Sequence, residues 1–235
     1  MGTAFLLHIN GRSLPVAVKR SGRARNMSLR LDPTGGSLVV VLPDGVPERE
    51  AERFAHRQTA WIESRLAVMP GPIPFADGGE VPLLGLSHLI RHEPQARRGV
   101  WAEEGVIHVS GRPEHVARRV GEFLRGEARV VMAHHSRQLA AELGRKPGRV
   151  TVRDTTSRWG SCSARGDLSF SWRLVLAPDF VGRYVAAHEV AHLAEMNHGP
   201  DFWALVDGLV GDSAAPRAWL KRHGPQLHRY GGHVE

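Results

Sequence analysis

Alternation of apolar and polar positions dominates the first part of the chain. Residues 5–9, 14–18, 27–31 and 38–42 read as short strands, with large apolar or β-branched side chains at every second position or in short runs. Asn10-Gly11 suits a tight two-residue hairpin turn, and Asp32-Pro33-Thr34-Gly35-Gly36 punctuates the next pair. The period then changes. Over residues 47–69, Phe54, Trp61, Ile62, Leu66 and Met69 mark one helical stripe, which Pro70, Pro72 and Pro74 end. Strands return at 81–84 and 86–91, with a hairpin over 100–109 turning near Glu104-Gly105. A long helix is predicted from Pro113 to about Leu143. Its inner face carries Val116, Val120, Phe123, Leu124, Val131, His135 and Leu139, and Gly144, Pro147 and Gly148 break it. Within it His134 and His135 diverge by about 100°, which predicts one inward and one outward ring.

The remainder reads as strands at 150–153 and 168–172, joined through a loop or turn at 157–166. A helix starts at Pro178 and Asp179, a pair suited to a first turn. From there Val181, Tyr184, Val185, His188, Ala191 and His192 share one face. Helices are predicted next over 201–209 and 216–228, and Tyr230-Gly231-Gly232-His233 reads as a loose tail. No internal repeat or low-complexity segment is evident. The pattern predicts an α+β fold: a strand-rich N-terminal region with one helix over 1–112, and a compact catalytic core over 113–235.

The chemistry concentrates in His188-Glu189-Val190-Ala191-His192, with His198 six residues on. Two histidines four apart on a helix can share one metal ion, and the intervening glutamate can stand beside the ion's open position. The chain has 14 histidines, so by composition a chance H-E-x-x-H arises in about one such chain in twenty. Requiring the third histidine lowers that to roughly a few in a thousand. On an unbroken helix His198 would lie about 9 Å beyond His192 and be rotated by about 240°. It can join the pair only if the helix ends and the chain turns back. Asn197, Gly199 and Pro200 supply that stop, Asn197 tolerating the left-handed conformation. Glu195 is the rival third ligand, because it shares a helix face with His188 and His192. Three ligands strung on one straight helix converge poorly on a small tetrahedral ion, which favours His198. Glu195 then orients a ligand histidine or is a solvated helix residue.

The segment from Arg149 to Trp203 resembles the YgjP-like metallopeptidase family and, more distantly, SprT-like zinc proteases. The resemblance rests on Thr151-Val152-Arg153-Asp154, Ser157-Arg158-Trp159-Gly160-Ser161-Cys162-Ser163 and Leu168-Ser169-Phe170-Ser171-Trp172-Arg173-Leu174. It continues through His188-Glu189-Val190-Ala191-His192-Leu193 and Asn197-His198-Gly199-Pro200-Asp201-Phe202-Trp203. It implies a zincin-like core, an active-site helix packed on a small antiparallel sheet, and a zinc-dependent peptidase activity. It also implies that His188, His192 and His198 bind one zinc ion and that Glu189 is the general base. In proteins so built a sheet edge lies beside the active-site helix, where an extended peptide can pair.

Composition narrows the alternatives. No apolar run approaches the ~18 residues of a membrane span, and no export signal is visible. The single cysteine, Cys162, excludes an internal disulfide framework and suits a reducing interior, so a cytoplasmic location is expected. Cys162 itself reads as a small buried hydrophobe. A protein or peptide substrate is the expected partner. The net charge of +7 also permits nucleic acid. Two other functions are compatible with these residues: a metal-dependent nucleotide or phosphoester hydrolase, and a non-catalytic zinc-stabilised nucleic-acid-binding module with a closed four-ligand site. Arg158, Arg173, Tyr184, His223 and His228 are candidate donors to a developing oxyanion. Gly160 permits a close backbone approach, and Trp159 packs or shapes a cleft.

Overall fold

The computed structural model describes residues 4–32, 35–68 and 71–232. Pro33, Thr34, Met69, Pro70 and His233, which the sequence pattern assigns to a turn, a helix end and the tail, lie outside them. Two compact units part between Pro72 and Ile73.

In the first unit, β1 (Phe5–Ile9), β2 (Arg12–Arg20), β3 (Ser28–Leu31) and β4 (Leu38–Leu42) form a sheet in the order β1-β2-β4-β3. The central pair β2/β4 is parallel and the flanking pairs are antiparallel. Asn10 and Gly11 both take positive φ, 49° and 77°, as the hairpin turn requires. Alternation sends Leu7, Ile9, Leu14, Val16, Leu38, Val40 and Leu42 to one face, where they pack with Ala51, Ala55 and Ile62. Those three belong to α1 (Arg49–Arg57) and α2 (Thr59–Val68), two helices where the apolar stripe predicted one. The break falls at Gln58. Thr59 turns its hydroxyl back to donate to the His56 carbonyl (2.7 Å), a local bond that competes with helix continuation.

The second unit opens on the same plan. Strands β5 (Glu80–Leu83), β6 (Leu86–Glu93), β7 (Val100–Glu103) and β8 (Val106–Ser110) run in the order β5-β6-β8-β7, with β6/β8 parallel and the flanks antiparallel. In both units the last strand leads through Gly-x-Pro-Glu into a helix: Gly45-Val46-Pro47-Glu48, and Gly111-Arg112-Pro113-Glu114. The two glycines share a positive φ, 84° and 90°. The chain therefore contains a repeat of topology. It has no fixed sequence period because linkers between corresponding strands differ in length, 32–37 against 104–105.

Helix α3 (Val116–Glu142) is shared between two cores of the second unit. Its first half lays Val116, Val120, Leu124 and Ala128 against Val81, Ile90, Ile107 and Val109. Its second half places Met132, Leu139 and Ala140 among Leu168, Phe170, Tyr184, Val190 and Phe202. Because α3 covers β5–β8, this sheet belongs with the residues after it. The division at residue 113 expected from the hydrophobic pattern cuts through one core, and the compact units divide earlier. His135 points inward and His134 outward, and His135 Nε2 donates to Asp179 Oδ1 (2.9 Å).

Three further strands, β9 (Val150–Arg153), β10 (Gly160–Cys162) and β11 (Leu168–Ser171), form a sheet in the order β10-β11-β9. It is mixed, not the antiparallel sheet expected: β10/β11 is antiparallel and β11/β9 parallel. Strand β10 lies inside the stretch read as a loop, since Gly-Ser-Cys has little strand propensity of its own. Leu168 and Phe170 turn into the core, and a 3-10 turn at Trp172–Leu176 leads to α4 (Asp179–Ala191). Helices α5 (Pro200–Val210) and α6 (Ala214–Leu227) complete the unit. The end expected to be loose is tied down. Ile73 N–H donates to the Arg229 carbonyl and Gly231 N–H to the Ile73 carbonyl, both at 2.9 Å. Buried Arg173 donates through Nη1 to the Leu227 and Tyr230 carbonyls (2.9 and 2.7 Å) and through Nε to Asp154 (3.1 Å). No helix among the described residues is long and apolar enough to cross a membrane.

Candidate metal centre

Helix α4 is buried almost all round: Val181, Tyr184, Val185, Ala186, Ala187, Val190 and Ala191 are all inside. Such a helix holds its residues rigidly, and it brings His188 and His192 to its C-terminal end as T-shaped neighbours with ring centroids 5.2 Å apart. The helix stops at Ala191, earlier than Asn197. A turn succeeds it in which the Leu193 and Ala194 N–H groups bond to the Val190 and Ala191 carbonyls (2.9 and 3.0 Å). Asn197 does not adopt the expected left-handed conformation, and Gly199 has φ −79°. The reversal is held instead by Glu195, whose Oε1 accepts from the Asn197 N–H (3.0 Å).

That reversal returns His198 to the pair. Its ring centroid lies 5.0 Å from His188 and 4.7 Å from His192, and the three residues offer ligand atoms within 4.8 Å of one another. His188 Nε2 and His198 Nε2 are 3.1 Å apart. Two ligands at about 2.05 Å on a tetrahedron stand about 3.3 Å apart, so the spacing fits a small divalent ion. The donor chemistry fits as well. Burial pushes His188 down to about 4, helped by His192 and His198, and burial also lowers His192 against the opposing pull of the Glu195 carbonyl. Both rings are thus neutral at pH 7, the form that binds metal. The Glu195 carbonyl accepts from His192 Nδ1 (3.1 Å), which fixes that tautomer and leaves Nε2 as the donor atom. Glu195 therefore orients a histidine through its backbone, while its carboxylate stays out of the three-histidine group.

Phe202 forms the floor of this cluster, its ring 4.9, 4.6 and 4.6 Å from those of His188, His192 and His198. Trp203 stands beside His188 and His198, under the Arg217 guanidinium at 4.8 Å. The sequence shows both as apolar residues suited to burial. Their position at the start of α5, directly after His198, is the signal that they pack on the histidines.

Glu189 is 6% exposed. Burial pushes its carboxyl up to about 7, with the Arg158 guanidinium opposing. The neighbour that makes room for it is Gly160 on β10: a Cβ there would lie 2.5 Å from Glu189 Oε1 and 2.6 Å from its Cγ. The close approach that Gly160 permits is thus to the carboxylate of the H-E-x-x-H motif. Cys162, two residues on, is partly exposed where a buried residue was expected, and its thiol is raised by burial, Glu189 and Asp167.

The candidate oxyanion donors separate. Arg173 is committed to its bonds with Asp154 and the Leu227 and Tyr230 carbonyls. His228 stacks on Trp159 at 5.2 Å and His223 leans on Trp219 at 5.1 Å. Trp159 is a packing residue against Gly224, where a Cβ would meet its ring at 2.9 Å. Tyr184, one helical turn before His188, stands edge-on to it at 6.3 Å, and Arg158 acts on Glu189.

The family model of the YgjP-like metallopeptidase domain matches residues 25–223, and the chain belongs to that family. No curated protein and no solved structure matches the chain.

Proposed function

We propose that the protein is a zinc-dependent peptidase in which His188, His192 and His198 hold one zinc ion and Glu189 is the general base. The observation that carries this reading is the burial of one carboxylate, Glu189, on the same helix end as three convergent imidazoles. Three imidazoles and one open position suit zinc, which when bound polarises a carbonyl and renders a water nucleophilic near neutral pH. Glu189, held in place by the backbone of Gly160, accepts the proton of the attacking water and delivers it to the leaving amine.

The sheet edge supplies a place for the substrate backbone. The Trp159 carbonyl accepts from Ser171 N–H (2.8 Å) and the Ser163 N–H donates to the Asp167 carbonyl (2.9 Å), so alternate residues of β10 face β11. The backbone groups of Gly160 and Cys162 consequently face away from the sheet, available to an extended peptide. The test is hydrolysis by zinc-loaded protein of an unfolded polypeptide, compared with nucleotides, with and without chelator. Chelator-sensitive cleavage of polypeptide supports the assignment. Chelator-sensitive turnover of nucleotides with none of polypeptide overturns it.

A further inference from the structure

Two cavities, one over the β10-β11-β9 sheet and one beside His192, are lined with cations. The larger, about 800 Å³, lies over the β10-β11-β9 sheet and is walled by Gly160, the residue against which Glu189 rests. Its floor is a row of hydroxyls: Ser161, Ser169 and Thr151 are cross-strand partners on one face. Around that row stand Arg149, Arg153 and Arg158. Arg158 acts on the Glu189 carboxylate, but neither the Arg149 nor the Arg153 guanidinium has an ion-pair or hydrogen-bond partner among the described residues, in contrast to Arg173 and Arg125, which share Asp154. The one acidic residue of the lining, Asp167, is engaged by the Arg149 backbone N–H (2.7 Å). The second cavity, about 540 Å³, shares Ser163 with the first, is lined by His192, and adds Arg145, Lys146 and Arg165. Six cations against one carboxylate, Asp167, thus border the two cavities.

We infer that these cavities select polypeptide substrates rich in acidic residues, the guanidiniums of Arg149 and Arg153 receiving carboxylates of the bound chain. This rests on the peptidase reading and narrows its substrate class. Guanidinium forks match carboxylates bidentately, and unpartnered arginines forfeit no existing ion pair when they bind one. The linings favour a polypeptide over a nucleic acid strand. Neither cavity is lined by a Phe, Tyr or Trp on which a base could stack, the contact that single-stranded nucleic-acid sites depend on. The exposed β10 edge borders the larger cavity and offers backbone pairing to an extended chain.

The test uses two pools of internally quenched peptides of random interior sequence, flanked on both sides by three glutamates or by three glutamines. Zinc-loaded protein is expected to cleave the glutamate pool with a kcat/KM about tenfold higher, as a few exposed charge pairs allow. In the Arg149→Gln/Arg153→Gln double variant that ratio falls towards one, with cleavage of the glutamine pool unchanged. Equal cleavage of the pools by the parent protein, or a preference that survives in the variant, overturns the inference. A binding arm separates this from failure of the peptidase reading. Fluorescence anisotropy of labelled Glu- and Gln-flanked peptides and of oligo-dT on the Glu189→Gln protein needs no turnover. Tighter binding of the Glu-flanked peptide, weakened about tenfold in the arginine double variant, supports the cavity assignment even if nothing is cleaved. Tighter binding of oligo-dT than of the acidic peptide overturns it.

Discussion

The two sheet-and-helix layers of this chain share a strand order, a pattern of parallel and antiparallel pairing and a Gly-x-Pro-Glu entry into the next helix, yet only one is joined to the three-histidine group. The difference lies in the helix itself. After Pro47 it breaks at Gln58, and its successor packs on the sheet alone. After Pro113 it runs unbroken to Glu142, and its second half becomes the support for β11, α4 and α5. A helix that outlasts the sheet it covers provides a second, rigid surface. On that surface α4 is buried on nearly every side, which is how three histidines and a glutamate can be held in one geometry.

If that is the distinction, damage to the site and damage to the two layers separate. The largest effect is expected at Glu189. Glu189→Gln retains zinc and lowers kcat by about 10³-fold or more, whereas His192→Ala loses both metal and activity; zinc analysis beside a kcat measurement distinguishes them. Full activity in the Glu189 variant would remove the base assignment. Next come the cores. Leu38→Ala and Leu124→Ala each leave a cavity costing about 3 kcal/mol. Denaturant unfolding monitored alongside zinc retention should show early metal loss for Leu124→Ala and unchanged zinc affinity for Leu38→Ala. A smaller effect is expected for Gly160→Ala, since the new methyl must displace the Glu189 carboxylate by part of an ångström: a fall in kcat of about 10- to 100-fold at full zinc occupancy. Unaltered kcat would mean that the contact with Gly160 has no part in placing the base.

An effect confined to the metal-free protein above neutral pH sharpens the electrostatics. Burial raises the Glu189 carboxyl from its ordinary 4.5 to about 7 in the metal-free protein. The folded state therefore holds a proton that the unfolded state releases, and stability contributed below pH 4.5 is lost as pH rises through 7. Glu189→Gln removes that dependence. The metal-free variant should be more stable than its parent at pH 8 by up to about 3 kcal/mol and indistinguishable from it at pH 4. Urea unfolding at the two pH values reads this directly.

Much of this organisation was legible in the residues. Strand periodicity placed β1 and β4 at their observed bounds, and Pro178-Asp179 located the start of α4. The convergence of His198 came from the geometry of a helix that must stop. The stop itself was misplaced, because i→i+3 bonds at Val190 and Ala191, not a left-handed Asn197, end the helix. Such bonds leave no mark in composition. Strand β10 was hidden because its three residues are held by pairing with β11 and by room made for Glu189, both tertiary demands. The parallel β11/β9 pairing and the matching topology of the two layers depend on which strands become neighbours, and local periodicity is silent on that.

Binding of one zinc ion by three imidazoles is tested most directly by elemental analysis of the purified protein beside its His198→Ala and Glu195→Gln variants. One zinc per chain is expected in the parent and in Glu195→Gln, and little or none in His198→Ala. Zinc retained without His198 and lost without the Glu195 carboxylate would contradict the three-histidine centre.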